Sequence, residues 1–210
     1  MNDEPTGVQH EVWATPLFEV RNPDHEVIRS GLVDYFLARE READEPVESG
    51  VTANIKRNLF ESRFDLFEAD VAEVQMLMNF CQGVVTDVVG MLSADAGVEA
   101  PAFEIHESWI HITRNGGHHD YHGHHGCFWC GIYYVDIGDC DFESRNGCNR
   151  FYNPNPTYFR GGSGKRHDYI DIAPENGKVV LFPSYLQHSA LPYRGDQERI
   201  LIAFNSRLPD

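Results

Sequence analysis

The hydrophobic pattern of this 210-residue chain changes at about residue 103, and that change constrains the fold more than any other feature. Before it, apolar residues recur every three or four positions over residues 23–41 and 71–92, which indicates two amphipathic helices. After it, short apolar runs are separated by Gly, Pro, Asn and Asp, which indicates strands. The order of helices first and strands afterwards predicts an α+β, mainly β fold with a helical layer on one sheet.

Seven segments have the composition of strands. They are residues 13–20, 103–113, 131–136, 169–172, 178–182, 187–192 and 199–206. The stretches 42–50 and 140–167 are predicted to be loops, and the second is long enough to be functional. Since no linker separates two halves, we expect one domain over residues 1–210, with an N-terminal strand and supporting helices in 1–100 and a β core carrying the site in 101–210.

The charge excludes some partners and the cysteine count suggests a compartment. With 33 Asp and Glu against 17 Lys and Arg, the net charge is −16, which repels nucleic acid. The mean hydropathy is −0.43, and no membrane span is expected. The N-terminal residues do not resemble a signal peptide and the five cysteines suit a reducing compartment, so we expect a cytoplasmic protein. The oligomeric state is left open.

Five of the 11 histidines lie within residues 118–125. Residues two apart on an extended chain point to one side, so His122 and His124 could present two imidazoles to one ion, and His118 with Asp120 is the alternative pair. Either pair supplies two ligands of a facial triad, which leaves positions open for a cosubstrate and dioxygen. His188, at the start of a predicted strand, is the expected third ligand.

An arginine is predicted on the same face as His188. The dipeptide Gly195-Asp196 predicts a two-residue hairpin that pairs His188 with Ala203. In that register the guanidinium of Arg199 comes within a few ångströms of the metal. This separation suits a five-carbon diacid whose oxo-acid end chelates the ion and whose far carboxylate meets the arginine fork.

At these residues the chain resembles the 2-oxoglutarate- and Fe(II)-dependent oxygenases, which have a double-stranded β-helix, or jelly-roll, core. The resemblance covers roughly residues 109–208 and, more weakly, residues 15–18. The segments that carry it are Trp109, Gly116-Gly117 before His122 and His124, Gly131-Ile132-Tyr133-Tyr134-Val135, Phe182-Pro183-Ser184-Tyr185-Leu186-Gln187-His188, and Arg199 with Ala203-Phe204-Asn205.

The resemblance implies a dioxygenase, an oxidoreductase that hydroxylates an unidentified small molecule while 2-oxoglutarate is decarboxylated to succinate. It implies Fe(II) held by His122, His124 and His188, and 2-oxoglutarate held by Arg199. The cofactors supply the chemistry, so no catalytic side chain beyond the metal ligands is expected.

Two other functions stay open. Leu201 occupies the position, two residues after Arg199, where the family has serine. A neutral three-histidine site also resembles that of cupin thiol dioxygenases, which use no 2-oxoglutarate. A catalytically silent metal-binding jelly roll is the third hypothesis.

Three further groups have candidate roles. Trp109 and Tyr133 are predicted to bind the cofactor beside Arg199, because aromatic side chains commonly line such pockets. Four cysteines could form a tetrahedral zinc site: Cys127, Cys130, Cys140 and Cys148. The positive residues of the long loop favour an anionic substrate: Arg145, Arg150, Arg160, Lys165 and Arg166.

Overall fold

The computed structural model describes residues 14–43, 56–154 and 168–209. The α-helices in these ranges are α1 (His25–Glu42) and α2 (Ala72–Ala96), and a single 3-10 turn covers Leu66–Glu68. The strands are β1 (Phe18–Arg21), β2 (Lys56–Glu61), β3 (Glu104–His122), β4 (Trp129–Asp136), β5 (Asn149–Tyr152), β6 (Tyr169–Ile172), β7 (Lys178–Pro183), β8 (His188–Ala190) and β9 (Arg199–Arg207).

Helix α1 begins just after the predicted start signal. The side chain of Asn22 accepts the backbone N–H of Asp24 at 2.9 Å, and the helix follows. Ile28, Leu32 and Phe36 are buried at helical spacing, so the predicted stripe is the face that packs inward.

Helix α2 is the main support of the sheet. Its buried residues recur at three- and four-residue intervals: Val74, Leu77, Cys81, Val84, Val85, Val88, Val89 and Ser93. It ends at Gly97, whose φ of 68° is in the left-handed region that glycine adopts without strain. By length and a mean hydropathy of 1.3 over its most apolar window, α2 could also cross a membrane, a test that core helices of folded domains pass as well.

The nine strands of the described residues form one antiparallel sheet. Its order is β1-β7-β4-β9-β3-β8-β5-β6, and β2 pairs with residues 111–119 of β3, off this path. The sheet curls over itself, because Phe151 of β5 contacts Phe182 of β7, with ring centroids 4.8 Å apart, although the two strands are not neighbours. The predicted mainly β jelly roll with helices on one sheet is confirmed.

Strand β4 shows how the two faces of the sheet differ. Tyr133 and Val135 face the helices and join the core that α1 and α2 form with the sheet. Cys130, Ile132 and Tyr134 face the interior of the curled sheet. The alternation of side chains along a strand therefore separates a supporting core from the interior in which a ligand could bind.

The predicted hairpin between β8 and β9 is wrong. Both strands instead pair with β3, with His188 of β8 opposite His122 and Arg199 of β9 opposite Thr113. Both partners are on one long strand, so His188 and Arg199 still line the same pocket. The predicted common face is correct and the predicted strand pairing is not.

Three other boundaries differ from the sequence prediction. Strand β3 continues nine residues past the predicted end at Thr113, and β2 and β5 were predicted as loop or left unassigned. Trp13 and residues 155–167 lie outside the described residues. Strands β1 and β2, which come from the first hundred residues, belong to the same sheet as the strands of the remaining chain. That residues 1–210 form a single domain stays a prediction.

Candidate metal and cofactor site

Three imidazoles converge inside the curled sheet. His122 ends β3, His124 follows two residues later, and His188 begins β8. One potential ligand atom from each lies within 4.8 Å of the other two. The register brings them together, because β8 pairs with β3 so that His188 is opposite His122.

The hydrogen bonds of these histidines fix which nitrogen faces the centre. Nδ1 of His122 lies 2.7 Å from the carbonyl oxygen of Asp120, and Nδ1 of His188 lies 3.1 Å from that of Leu186. A carbonyl oxygen can only accept, so both Nδ1 atoms carry the proton and both Nε2 atoms keep a lone pair.

His124 has the same tautomer through a side chain. Its Nδ1 lies 2.7 Å from Oδ1 of Asn205, whose Nδ2 donates to Glu107 at 2.8 Å. The amide oxygen of Asn205 therefore accepts from Nδ1 of His124, and Nε2 is again the free acceptor. A hydrogen-bonded Nδ1–H and a free Nε2 are the arrangement that orients a histidine as a metal ligand.

Burial keeps the three histidines uncharged. Desolvation lowers the pKa of His122 to about 4 and lowers the pKa values of His124 and His188, in His188 well below the ordinary value. Mutual repulsion among the imidazoles acts in the same direction. At neutral pH the site therefore offers three neutral imidazoles, the form that binds a metal ion.

Arg199 is a buried cation in the same pocket without an acidic partner. Its side chain is 1% exposed and its Nη2 donates to Oδ1 of Asn149 at 2.7 Å. Its Nε has no hydrogen-bond partner, and no carboxylate forms an ion pair with it within residues 14–43, 56–154 and 168–209. An uncompensated buried charge costs several kcal/mol, so the pocket is suited to an anionic ligand.

The predicted cofactor residues Trp109 and Tyr133 differ in position. Trp109 lines the pocket and stacks on His124, with ring centroids 5.8 Å apart. Tyr133 is on the opposite face of β4, where its hydroxyl lies 2.8 Å from Nδ1 of His25 and 3.2 Å from Nδ2 of Asn22. The prediction for Tyr133 is therefore corrected, because strand alternation turns this side chain toward the helices. Its neighbour Tyr134 faces inward and donates to Asn149 at 2.8 Å.

The alternative ligand pair is not part of this cluster. His118 and Asp120 lie 3.7 Å apart, but the Asp120 side chain is largely exposed. Neither joins a metal-ligating group with His188 among the described residues. An irregularity in β3 separates this pair from the cluster, because the pairing of β3 with β8 shifts by one residue between His119 and His122.

The four cysteines also separate. Cys127 and Cys130 lie together, with their sulfurs 3.6 Å apart. Cys140 instead lies against Gly147, beside the aliphatic part of Arg199. Among described residues, the groups able to hold a metal include Cys127 and Cys130 but neither Cys140 nor Cys148, so a four-cysteine zinc site is not formed.

His119 is one of the polar side chains of the pocket that the sequence analysis missed. His119 is buried and stacks on His122 with ring centroids 3.7 Å apart, and its Nε2 has no hydrogen-bond partner among the described residues. Burial lowers its pKa. Its position could not be read from alternation, because the register shift in β3 turns His119 and His122 into the same pocket although they are three residues apart.

Behind Trp109 lies a group of buried polar side chains, of which His111 also lines the pocket. Nε2 of His111 lies 3.0 Å from the indole nitrogen of Trp109 and 2.7 Å from Glu61, which also pairs with Lys56 at 2.5 Å. Burial raises the pKa of Glu61, but its contacts with His111 and Lys56 outweigh burial and lower it. The strand that supplies Glu61 and Lys56 is β2, which the sequence did not predict.

The loop arginines are partly neutralised. Arg150 forms two hydrogen bonds to Asp171, at 2.7 and 2.9 Å, and Arg145 also pairs with Asp171 at 3.3 Å. Arg160, Lys165 and Arg166 lie outside the described residues. Binding of an anionic substrate by this loop stays a prediction.

Comparison with known proteins agrees with this geometry. Residues 107–205 match the family described as "Putative 2OG-Fe(II) oxygenase", a range that includes the three histidines, Trp109 and Arg199. No curated protein matches this sequence closely enough to count as a relative. The family confirms the predicted resemblance and the predicted cofactors, Fe(II) and 2-oxoglutarate.

Solved structures share the fold at low sequence identity. A prolyl-4-hydroxylase from Pseudomonas putida is similar with a TM-score of 0.63 and 15% identity, covering 93% of this chain and 94% of the other. A prolyl hydroxylase from Trichoplax adhaerens, in complex with a hypoxia inducible factor peptide, has a TM-score of 0.65 and 14% identity, covering 91% and 83%. A collagen prolyl hydroxylase of Paramecium Bursaria Chlorella virus-1, in complex with 2OG, has a TM-score of 0.58 and 12% identity, covering 92% and 96%.

Proposed function

We propose that this chain is a dioxygenase that hydroxylates an unidentified small molecule and converts 2-oxoglutarate to succinate, since residues 107–205 match the 2OG-Fe(II) oxygenase family. In this proposal His122, His124 and His188 hold Fe(II), and Arg199 holds the far carboxylate of 2-oxoglutarate. The observation that carries the proposal is one pocket with three free imidazole lone pairs and a buried guanidinium that lacks an acidic partner.

The bound iron and 2-oxoglutarate would activate dioxygen and release CO₂. The side chains of this chain would hold these two groups in place and limit the access of water. Three neutral imidazoles, each held by its Nδ1–H, are oriented for metal binding before the ion arrives. Asn149 holds the guanidinium of Arg199 from one side. Apolar side chains line the pocket and limit the entry of water: Ile132, Phe182, Leu201 and Ala203.

The buried guanidinium also favours this function over the two alternatives. A silent metal-binding domain has no use for a desolvated cation in the metal pocket, and a three-histidine dioxygenase without a cosubstrate would need it only for a substrate that carries an anionic group. The family's activity requires dioxygen and a small-molecule or peptide substrate. A small molecule, an anionic one in particular, and a cytoplasmic location are retained as proposals, supported by the pocket beside Arg199 and by the free cysteines.

Anaerobic titration of the Fe(II)-loaded chain with 2-oxoglutarate tests the proposal. We expect the visible metal-to-ligand charge-transfer band of a chelated oxo acid, followed by succinate production once air and a substrate are admitted. His122→Ala and His188→Ala should lose bound iron. Arg199→Lys should keep iron and weaken 2-oxoglutarate binding by about 30-fold or more, since it removes the fork from a buried charge pair.

His125→Ala is the matched control, because His125 lies beside the cluster and is exposed. It should bind iron and 2-oxoglutarate like the unaltered chain. Iron binding without the charge-transfer band would favour the three-histidine dioxygenase or the silent domain. Failure to bind iron at all would overturn the proposal.

A further inference from the structure

We propose that Cys127, Cys130 and His124 form a second cation site, for Zn²⁺ or another thiophilic divalent ion. The site shares His124 with the iron site of the proposed function, so an ion that takes the free lone pair of His124 competes there with iron. This inference rests on the proposed function only for its effect on iron, since the thiol site itself is defined by its own three side chains.

The two sulfurs already lie at a chelating distance. Sγ of Cys127 and Sγ of Cys130 are 3.6 Å apart, and each lies within 4.8 Å of a ring nitrogen of His124. A tetrahedral zinc ion with Zn–S bonds of about 2.3 Å separates two thiolate ligands by about 3.8 Å. An ion could therefore bind with small movements of the three side chains, and a water molecule could complete the tetrahedron.

The turn that carries Cys127 is held from two sides. Oγ of Ser184 donates to the carbonyl oxygen of Cys127 at 2.8 Å. The backbone N–H of Phe128 donates to Ser206 at 2.9 Å, and that of Ser184 donates to Phe128 at 2.9 Å. Cys130 follows in β4, buried and opposite Asn205. Both thiols are thus fixed by the ends of β7 and β9, which reduces the entropy lost on chelation.

The charge beside the thiols favours a cation. The carboxylate of Glu107 acts electrostatically on Cys127, Cys130 and His124 alike. It accepts a hydrogen bond from Asn205, which fixes it beside the site. A cation that binds here displaces the two thiol protons to solvent, and the resulting thiolates are among the strongest ligands for zinc.

The tautomer of His124 makes ions at the two sites compete. Its Nδ1–H is used by Asn205, so Nε2 provides the only free lone pair. One lone pair can bind one ion. When a thiophilic ion takes Nε2 of His124, the iron site keeps only His122 and His188, and its affinity for Fe(II) should fall.

Cobalt absorption tests the site directly. Co²⁺ is added to the apo chain under a phosphine reductant, which keeps the cysteines as thiols. We expect thiolate-to-cobalt charge-transfer absorption in the near ultraviolet, which imidazole ligands alone do not produce. Cys127→Ser and Cys130→Ser should each lose it, and Cys81→Ala, at a cysteine buried in α2, should keep it. If Cys130→Ser does not fold, the less buried Cys127→Ser is sufficient.

Two histidine variants separate this inference from the proposed function. His188→Ala should lose Fe(II) and keep the cobalt–thiolate absorption, whereas His124→Ala should weaken both. In the unaltered chain, Zn²⁺ should prevent Fe(II) binding at a lower concentration than it does in Cys127→Ser. A folded chain that binds Fe(II) but gives no thiolate absorption overturns this inference alone. Thiolate absorption without Fe(II) binding overturns the proposed function alone.

Discussion

Tyr133 and Tyr134 are adjacent in the chain, but their hydroxyls serve different parts of the molecule. Tyr133→Phe leaves the buried Asn22 and His25 without their hydroxyl partner, so we expect the free energy of unfolding to fall by about 1–3 kcal/mol with 2-oxoglutarate affinity unchanged.

Tyr134→Phe removes the hydroxyl that donates to Asn149, the side chain that accepts a hydrogen bond from Arg199. We therefore expect this variant to bind 2-oxoglutarate more weakly. Urea unfolding and the anaerobic titration measure the two effects, and a weaker titration in Tyr133→Phe would contradict the assignment.

Asn205 should act on iron through His124. Asn205→Ala removes the acceptor that holds the Nδ1–H of His124, and loss of such a partner lowers metal affinity about 10- to 100-fold. Competition with a chelator measures the dissociation constant of Fe(II). His125→Ala, at an exposed side chain beside the cluster, should leave it unchanged. Equal effects of the two substitutions would show that Asn205 has no specific role at the metal.

At the scale of elements, two glycines should respond to alanine in opposite directions. Gly83 is exposed in α2 and a Cβ there meets no atom within 4 Å, so Gly83→Ala should stabilise the chain by about 0.5–1 kcal/mol. A Cβ on Gly131 of β4 would overlap the ring of Phe204 on β9, so Gly131→Ala should lower the free energy of unfolding of the chain by about 1–3 kcal/mol. Denaturant unfolding of both variants checks this. A neutral Gly131→Ala would mean that the two strands can move apart.

The elements also show what the sequence could and could not reveal. Helices α1 and α2 and strand β7 follow from periodicity and composition, because each helix buries a continuous stripe and β7 is a short, fully buried apolar run. Strand β2 was missed because its sequence, KRNLFE, is mostly polar and its strand form depends on pairing with β3. The pairing of β8 was missed for a related reason, since the partner of a strand is chosen by the whole sheet and not by the nearest turn.

The same division applies to the site. The three metal-binding candidates could be found because histidine clustering is visible in the sequence, and Arg199 could be found because it belongs to the segments that carry the family resemblance. The face of Tyr133 and the burial of His119 could not, because one depends on strand register and the other on the irregularity in β3. Residue types are local information, but orientation is set by distant pairing.

For the whole molecule, the buried histidines predict loss of stability in acid. Burial lowers the pKa values of several: His25, His111, His119, His122, His124 and His188. Below the unfolded value of about 6.5, the unfolded chain takes up protons that the folded apo chain does not, so stability present above pH 6.5 is lost as the pH falls. Each neutral histidine contributes about 1.4 kcal/mol per pH unit, and for His122 the loss ends near its folded pKa of about 4.

Urea unfolding of the apo chain between pH 7.5 and about 5 measures this effect. His119→Leu removes one such histidine without removing a proposed ligand, so the fall in unfolding free energy between pH 6.5 and 5 should become shallower by about 1.4 kcal/mol per pH unit. An unfolding free energy that stays constant over this interval would contradict the buried, neutral state of these side chains.

The strand order has a consequence for how the chain folds. Most hydrogen-bonded neighbours in the sheet come from distant parts of the sequence: β1 pairs with β7, β4 with β7 and β9, and β3 with β8 and β9. Loops must close before such pairs can form, so folding is expected to take milliseconds to seconds. His122 and His188 meet only when β3 and β8 pair, so the proposed iron site forms only after this long-range pairing.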